Sequence, residues 1–140
     1  MELADTTVWA WSRRKAYPEL REWFDDALID GEIAICDMVR LELLHSVRDI
    51  DEFRALSEDL DGLPQLPLGE AEWRRALQVY ERLAEQGRGF HRTVKHQDLL
   101  IAAVAEARGV TLVHYDQDYD AIGRVTGQRT RWLAPQGSLR

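Results

Sequence analysis

Apolar residues in this chain alternate between short continuous runs and longer stretches in which they return every third or fourth position. These are the signatures of buried strands and of amphipathic helices. Met1 to Asp5 reads as a first strand, followed by a helix from Thr6 that carries Val8, Trp9 and Trp11. Pro18 breaks the chain, and Glu19 to Asp30 sets Leu20, Trp23, Phe24, Ala27 and Leu28 on one helical face before Gly31. Ile33 to Cys36 is a short apolar strand, and Asp37 is a natural N-cap for a helix to about Ser46. Glu42 stands in that helix among Met38, Val39, Leu41, Leu43 and Leu44, an acid with apolar neighbours. Asp49 to Leu60 and Glu70 to Gln86 are further amphipathic helices. Between them, the turn-rich segment Asp61 to Pro67 has room for a short strand. Gly87 to His96 is a loop with Arg88, Arg92 and Lys95 and no acid.

The pattern changes between Lys95 and Asp120. Leu99 to Ala105 is apolar at all seven positions, which predicts a helix enclosed on every side, with Asp98 at its mouth. Gly109 ends it, because glycine takes a left-handed cap without steric cost. Val110 to Tyr115 is a β-branched strand bounded by Asp116, Asp118 and Asp120. A helical turn from Asp120 to Arg124 and a last strand from Thr130 to Leu133 follow. Short strands alternating with helices predict an α/β fold: a central, mainly parallel sheet flanked by helices, in one domain over residues 1–140. Ligand sites in such sheets lie beyond the carboxyl ends of the strands. Asp5 and Asp116 fall on that rim, and Asp98 and Glu42 belong to helices whose N-termini can face it.

Composition sets limits on function. A chain of 140 residues can bury roughly two thirds of its unfolded surface without metal or disulfide staples. The single cysteine, Cys36, excludes a disulfide framework, and no run approaches the ~20 apolar residues that span a bilayer. No secretion signal opens the chain, so residence in the cytoplasm without membrane contact is the expectation. The net charge of −7 argues against a broad basic surface for nucleic acid. It leaves room for a nuclease, since carboxylates that bind divalent cations contribute to such a balance. Sixteen of the 18 basic residues are Arg, whose planar fork suits carboxylates and phosphates.

Acids gathered on one edge raise each other's pKa unless a counter-charge is present, and Mg2+ or Mn2+ is the obvious one. Such ions retain waters that can attack a phosphodiester. No rival catalytic set stands out: the four His have no metal-ligand spacing, and neither a phosphate-cradling glycine loop nor a nucleophile elbow occurs. Every acid also has a plain structural role open to it. Asp98 can be an N-cap, Asp116 and Asp118 can be turn residues, Glu42 can reach solvent, and Asp5 can close a strand. The run from Asp116 fails as an EF-hand, with Ala121 where glycine is needed and Gly127 in place of the bidentate Glu. Thr6 and Thr7 can serve the first acid or cap the first helix. The basic loop around Arg88, Arg92 and Lys95 can hold a phosphate backbone or face solvent. The five Trp belong to apolar contexts, as core and interface residues.

Four segments together resemble the PIN-domain ribonucleases, and within them the VapC toxins of type II toxin–antitoxin pairs. They are Ala4 to Trp9, Arg40 to Leu43, His96 to Ala103 and Leu112 to Tyr119. The resemblance implies a three-layer PIN-like fold and an acidic quartet of Asp5, Glu42, Asp98 and Asp116, with Asp118 as an accessory acid. It implies that Asp5, Asp98, Asp116 and Asp118 supply metal ligands, and it matches Thr7 to the hydroxyl that follows the first acid. It further implies Mg2+- or Mn2+-dependent endoribonuclease activity on structured RNA such as tRNA or a ribosomal RNA loop. A homodimer silenced by a cognate antitoxin is expected from it as well. The competing class is a catalytically silent PIN-like module whose task is protein binding. An aspartyl-phosphate phosphatase is disfavoured, because Thr6 and Thr7 follow Asp5 where a second Asp would stand.

Overall fold

The computed structural model describes all residues, 1–140. Four parallel strands form its sheet: β1 (Glu2–Ala4), β2 (Ile33–Ala34), β3 (Thr111–His114) and β4 (Thr130–Trp132), in the order β2-β1-β3-β4. Seven helices flank it: α1 (Thr6–Ser12), α2 (Pro18–Ile29), α3 (Asp37–His45), α4 (Ile50–Asp61), α5 (Glu70–Ala84), α6 (His96–Arg108) and α7 (Asp118–Thr126). The expected α/β layering is therefore present, and no helix is long and apolar enough to cross a membrane.

Register ties the sheet to the functional rim. Leu3 lies between Ala34 and Leu112, and Val113 pairs with Ala4 on one side and Arg131 on the other. The chain leaves β1 toward β2 and leaves β3 toward β4, so connections depart in opposite directions from two adjacent strands. That divergence opens a crevice beyond their carboxyl ends, the position where parallel sheets place ligands. Asp5 ends β1 there, donating its N–H to the Val113 carbonyl at 3.0 Å.

The helix predicted to be enclosed is enclosed. Asp98 through Ala105 in α6 are all buried, and Gly109 caps the helix with φ of 64°. Leu3, Ile33, Ile101, Val104, Leu112 and Ile122 join one apolar cluster of 27 buried residues. The segment after α4 supplies the suspected extended pairing as one parallel bridge, Ile35 with Gln65.

Local expectations fail at four points, each for a physical reason. Asp37 is the first residue of α3 and Cys36 precedes it in extended conformation, so the acid complements the helix dipole instead of capping with its side chain. Asp98 is the third residue of α6, with Lys95 at the N-cap, which frees its carboxylate from capping. Helix α7 begins at Asp118, not Asp120, because Asp116 Oδ1 accepts the Asp118 N–H at 2.9 Å and opens the helix early. The basic loop contains a 3-10 turn, Phe90–Thr93, entered through Arg88 and Gly89 at positive φ.

Truncating a core residue of α6 removes buried methyl groups with no room for collapse. Ile101→Ala is expected to lower the unfolding free energy by about 2–5 kcal/mol, measured by urea denaturation.

Candidate active site

The carboxyl ends of β1 and β3 and the first turns of α6 and α7 bring their acids to one place. Ligand oxygens of Asp98, Asp116 and Asp118 lie within 4.8 Å of one another. Lys95 enters the same cluster: its Nζ is 2.7 Å from Asp116 Oδ2, 3.0 Å from Asp118 Oδ2 and 3.3 Å from Asp98 Oδ2. The Lys95 backbone N–H also donates to Asp118 Oδ2 at 3.0 Å. Asp118 is thus held from both the main chain and the side chain of one residue.

Asp5 joins this group through a tyrosine. Tyr119, fully buried on α7, has its hydroxyl 2.7 Å from Asp5 Oδ1 and 3.0 Å from Asp98 Oδ1. One phenolic proton serves two carboxylates, so only one of them is satisfied at a time. Asp5 Oδ2 accepts from the Thr7 hydroxyl at 2.7 Å and from the Thr7 N–H at 3.2 Å, making Asp5 the cap of α1 as well. The same Thr7 oxygen accepts the Tyr115 N–H at 2.8 Å, which fastens the end of β3 to the start of α1. Glu42 stands one step away. Thr6 donates to its Oε1 at 3.0 Å, and it lines a cleft of about 400 Å³ with Thr6, Met38, Leu41, His45 and Gln97.

Burial and like charge govern the electrostatics. Burial, reinforced by the Asp118 and Asp5 carboxylates, pushes the Asp98 carboxyl up to about 8, despite the nearby Lys95. Burial also raises Glu42, although the Thr6 hydrogen bond works against it. Asp118 moves the other way: burial acts against its charge, but hydrogen bonds with Asp98 and Lys95 outweigh it and hold the carboxyl below its usual range. For Lys95, burial is likewise overcome, by bonds to Asp116 and Asp118, and its pKa rises. His114, buried beneath the site, is pushed down by desolvation. Its Nδ1 accepts the Asp116 N–H at 3.2 Å, so the neutral ring carries its proton on Nε2.

The donor set fits a hard divalent cation. Asp98 Oδ2 is buried, has only the Lys95 ammonium, 3.3 Å away, as a nearby cation, and faces a group of carboxylate oxygens, the ligand type such ions prefer. Of the five acids expected in the site, the structure clusters Asp98, Asp116 and Asp118, links Asp5 to them through Tyr119, and sets Glu42 beside Asp5 through Thr6. Lys95 points into the acids, whereas Arg88 and Arg92 remain exposed on the turn without an ion pair. Two participants were not anticipated: Tyr119 as a bridge and Thr6 as the anchor of Glu42. Only the position of Tyr119 directly after Asp118 hinted at its part, and a tyrosine in an amphipathic turn is an ordinary core residue.

Asp98 binds its proton more tightly folded than unfolded. Its contribution to stability is therefore complete below the ordinary carboxyl range and is lost as pH rises toward about 8. Asp118 contributes in the opposite sense, losing its stabilisation as pH falls through its depressed value. In metal-free protein, Asp98→Asn is expected to unfold like the wild type at about pH 3 and below, under the ordinary carboxyl range, where the carboxyl is mostly protonated in both states. At about pH 8 it should be more stable by at least about 1.4 kcal/mol, the equivalent of one pKa unit. Urea denaturation across that range reads the difference; a constant gap would refute the assignment.

Residues 3–125 match the PIN domain family. The chain is 42% identical to Ribonuclease VapC18 of Mycobacterium tuberculosis over 135 residues, spanning 96% of each chain. It is 34% identical to Ribonuclease VapC21 of the same organism, spanning 95% of this chain and 99% of that one. In fold it resembles the DNA-bound VapBC of Salmonella typhimurium, with a TM-score of 0.72 at 20% identity, covering 95% of this chain and 98% of that chain. With that family match and that identity over nearly its whole length, the chain belongs to the PIN-domain family, among the VapC ribonucleases.

Proposed function

We propose that this chain is a divalent-metal-dependent endoribonuclease that hydrolyses phosphodiester bonds of structured RNA, tRNA or rRNA, and acts in the cytoplasm as the toxin of a toxin–antitoxin pair. The observation that carries the reading is the cluster of Asp98, Asp116 and Asp118 oxygens around a buried Asp98, in a chain 42% identical to a ribonuclease. Asp5, Asp98, Asp116 and Asp118 are the ligands for Mg2+ or Mn2+. When bound, such an ion neutralises phosphate charge and activates water for attack.

The chain's own groups do the rest. Tyr119 fixes the rotamers of Asp5 and Asp98, so that both carboxylates are preset in the crevice. Thr6 holds Glu42 by Oε1 and leaves Oε2 to orient the attacking water and take its proton, a role suited to a carboxyl whose pKa burial has raised. Lys95 lies at hydrogen-bond distance from two of the acids, yet is more than half exposed. It can therefore turn toward a phosphate that enters the site, with Arg88 and Arg92 of the same loop as outer contacts. A homodimer and a cognate antitoxin complete the assembly, in keeping with the VapBC complexes whose fold this chain shares.

Asp5→Asn and Asp98→Asn should each keep the fold and lower RNA cleavage by more than about 100-fold, beyond the 10–100-fold typical of losing a group outside the ligand set. Cleavage by the wild type should cease in EDTA and return with Mg2+ or Mn2+. Gel assays on total cellular RNA read both. Undiminished cutting by either folded variant, or cutting that persists in EDTA, would sink the mechanism, whereas failure of the wild type to cut any RNA with either metal would favour a protein-binding module.

A further inference from the structure

The C-terminal end of α1, the helix that Asp5 caps, runs into Arg13, Arg14 and Lys15, all exposed. The chain has 25 acids against 18 basic residues, and Arg40, Arg48, Arg74, Arg75, Arg82 and Arg131 each meet a carboxylate. Arg13, Arg14 and Lys15 meet none. Three consecutive cations with no acid beside them make a positively charged patch on an acidic chain, and their geometry adds a second observation. The Arg14 guanidinium lies over the Trp11 ring at 4.1 Å, and that of Arg13 lies over Trp9 at 5.3 Å. A guanidinium stacked on an indole is held in place while its N–H edges stay free, and those edges match the oxygens of a phosphate.

The ridge is joined to the site. Trp11 meets the ring of Tyr115 edge-on at 5.4 Å, and Tyr115 directly precedes Asp116. Along α1, Arg13 stands about 12 Å from Asp5, eight residues at 1.5 Å each. Tyr17, whose ring lies 6.0 Å from Trp11, binds the main chain of Arg140 through its hydroxyl and so brings a fourth cation to the same end.

We propose that Arg13, Arg14 and Lys15, with Arg140 beside them, form a phosphate-binding ridge that receives the RNA strand as it leaves the carboxylates past Tyr115. The inference rests on the ribonuclease reading and adds the path of the substrate. The acids are then joined along the chain to two basic segments, the loop of Arg88 and Arg92 that leads into α6 and this ridge that follows α1. A strand that contacts both crosses the crevice with its scissile phosphate over the acids.

The test uses Asp98→Asn protein in Mg2+, so that bound RNA stays uncut, with a labelled 20-nucleotide single-stranded RNA and bulk tRNA as probes. Adding Arg13→Gln, Arg14→Gln and Lys15→Gln should weaken binding of both at least tenfold. It should also reduce the slope of log affinity against log salt by about 2, at about 0.7 per phosphate contact. In the background with Asp98 intact, the triple variant should bind Mn2+ as the wild type does. Parent protein that binds RNA while the triple change leaves affinity and slope unaltered overturns the ridge, and points to an acidic protein partner on that face. Loss of Mn2+ binding in the triple variant overturns it too, since the defect would then lie in the site itself. Absence of RNA binding by the parent would remove the ribonuclease reading and the ridge with it.

Discussion

Asp98 is buried within reach of three other carboxylates, and the shape of the site follows from how that repulsion is offset. Two devices share the work. A phenol, Tyr119, sits between Asp5 and Asp98, and an ammonium, Lys95, sits among Asp98, Asp116 and Asp118. Neither device fully satisfies Asp98: its Oδ2 accepts no hydrogen bond, and its carboxyl is pushed up to about 8. A buried carboxyl among other carboxylates is costly, and such groups cluster where function requires them.

The fold supplies the rigidity that keeps these acids together. Asp5 is fixed by the last residues of β1 and by its role as cap of α1. Asp98 is fixed by a helix buried along eight consecutive residues, so the carboxylate cannot withdraw into solvent without dislodging the core. Thr7 stitches the two active strands through Asp5 and the Tyr115 N–H. The crevice exists because the connections from β1 and β3 depart in opposite directions.

Most of the fold was legible because burial and periodicity report the same physics. An apolar run without a polar face has to be enclosed, and the run from Leu99 to Ala105 is. Strand and helix boundaries were less legible where side chains decide them. Asp116 starts α7 two residues early by accepting the Asp118 N–H, a bond that no periodicity encodes. The acids Asp98, Asp116 and Asp118 could be placed together from their positions at element ends. The inward turn of Lys95 could not, since a lysine in a basic loop carries no sign of where its ammonium will lie. Tyr119 and Thr6 were hidden for the same reason: each contacts a carboxylate more than 20 residues away in sequence, and only tertiary packing brings the pair together.

The proposed function requires that these acids be gathered to hold a divalent cation. Titration of Mn2+ onto the protein, followed by electron paramagnetic resonance of the free ion, tests it without RNA or partner. The wild type should take up Mn2+ saturably, and Asp116→Asn should weaken that uptake by at least tenfold while the folded state is retained. Equal uptake by the two proteins, or none by the wild type at millimolar Mn2+, would contradict it.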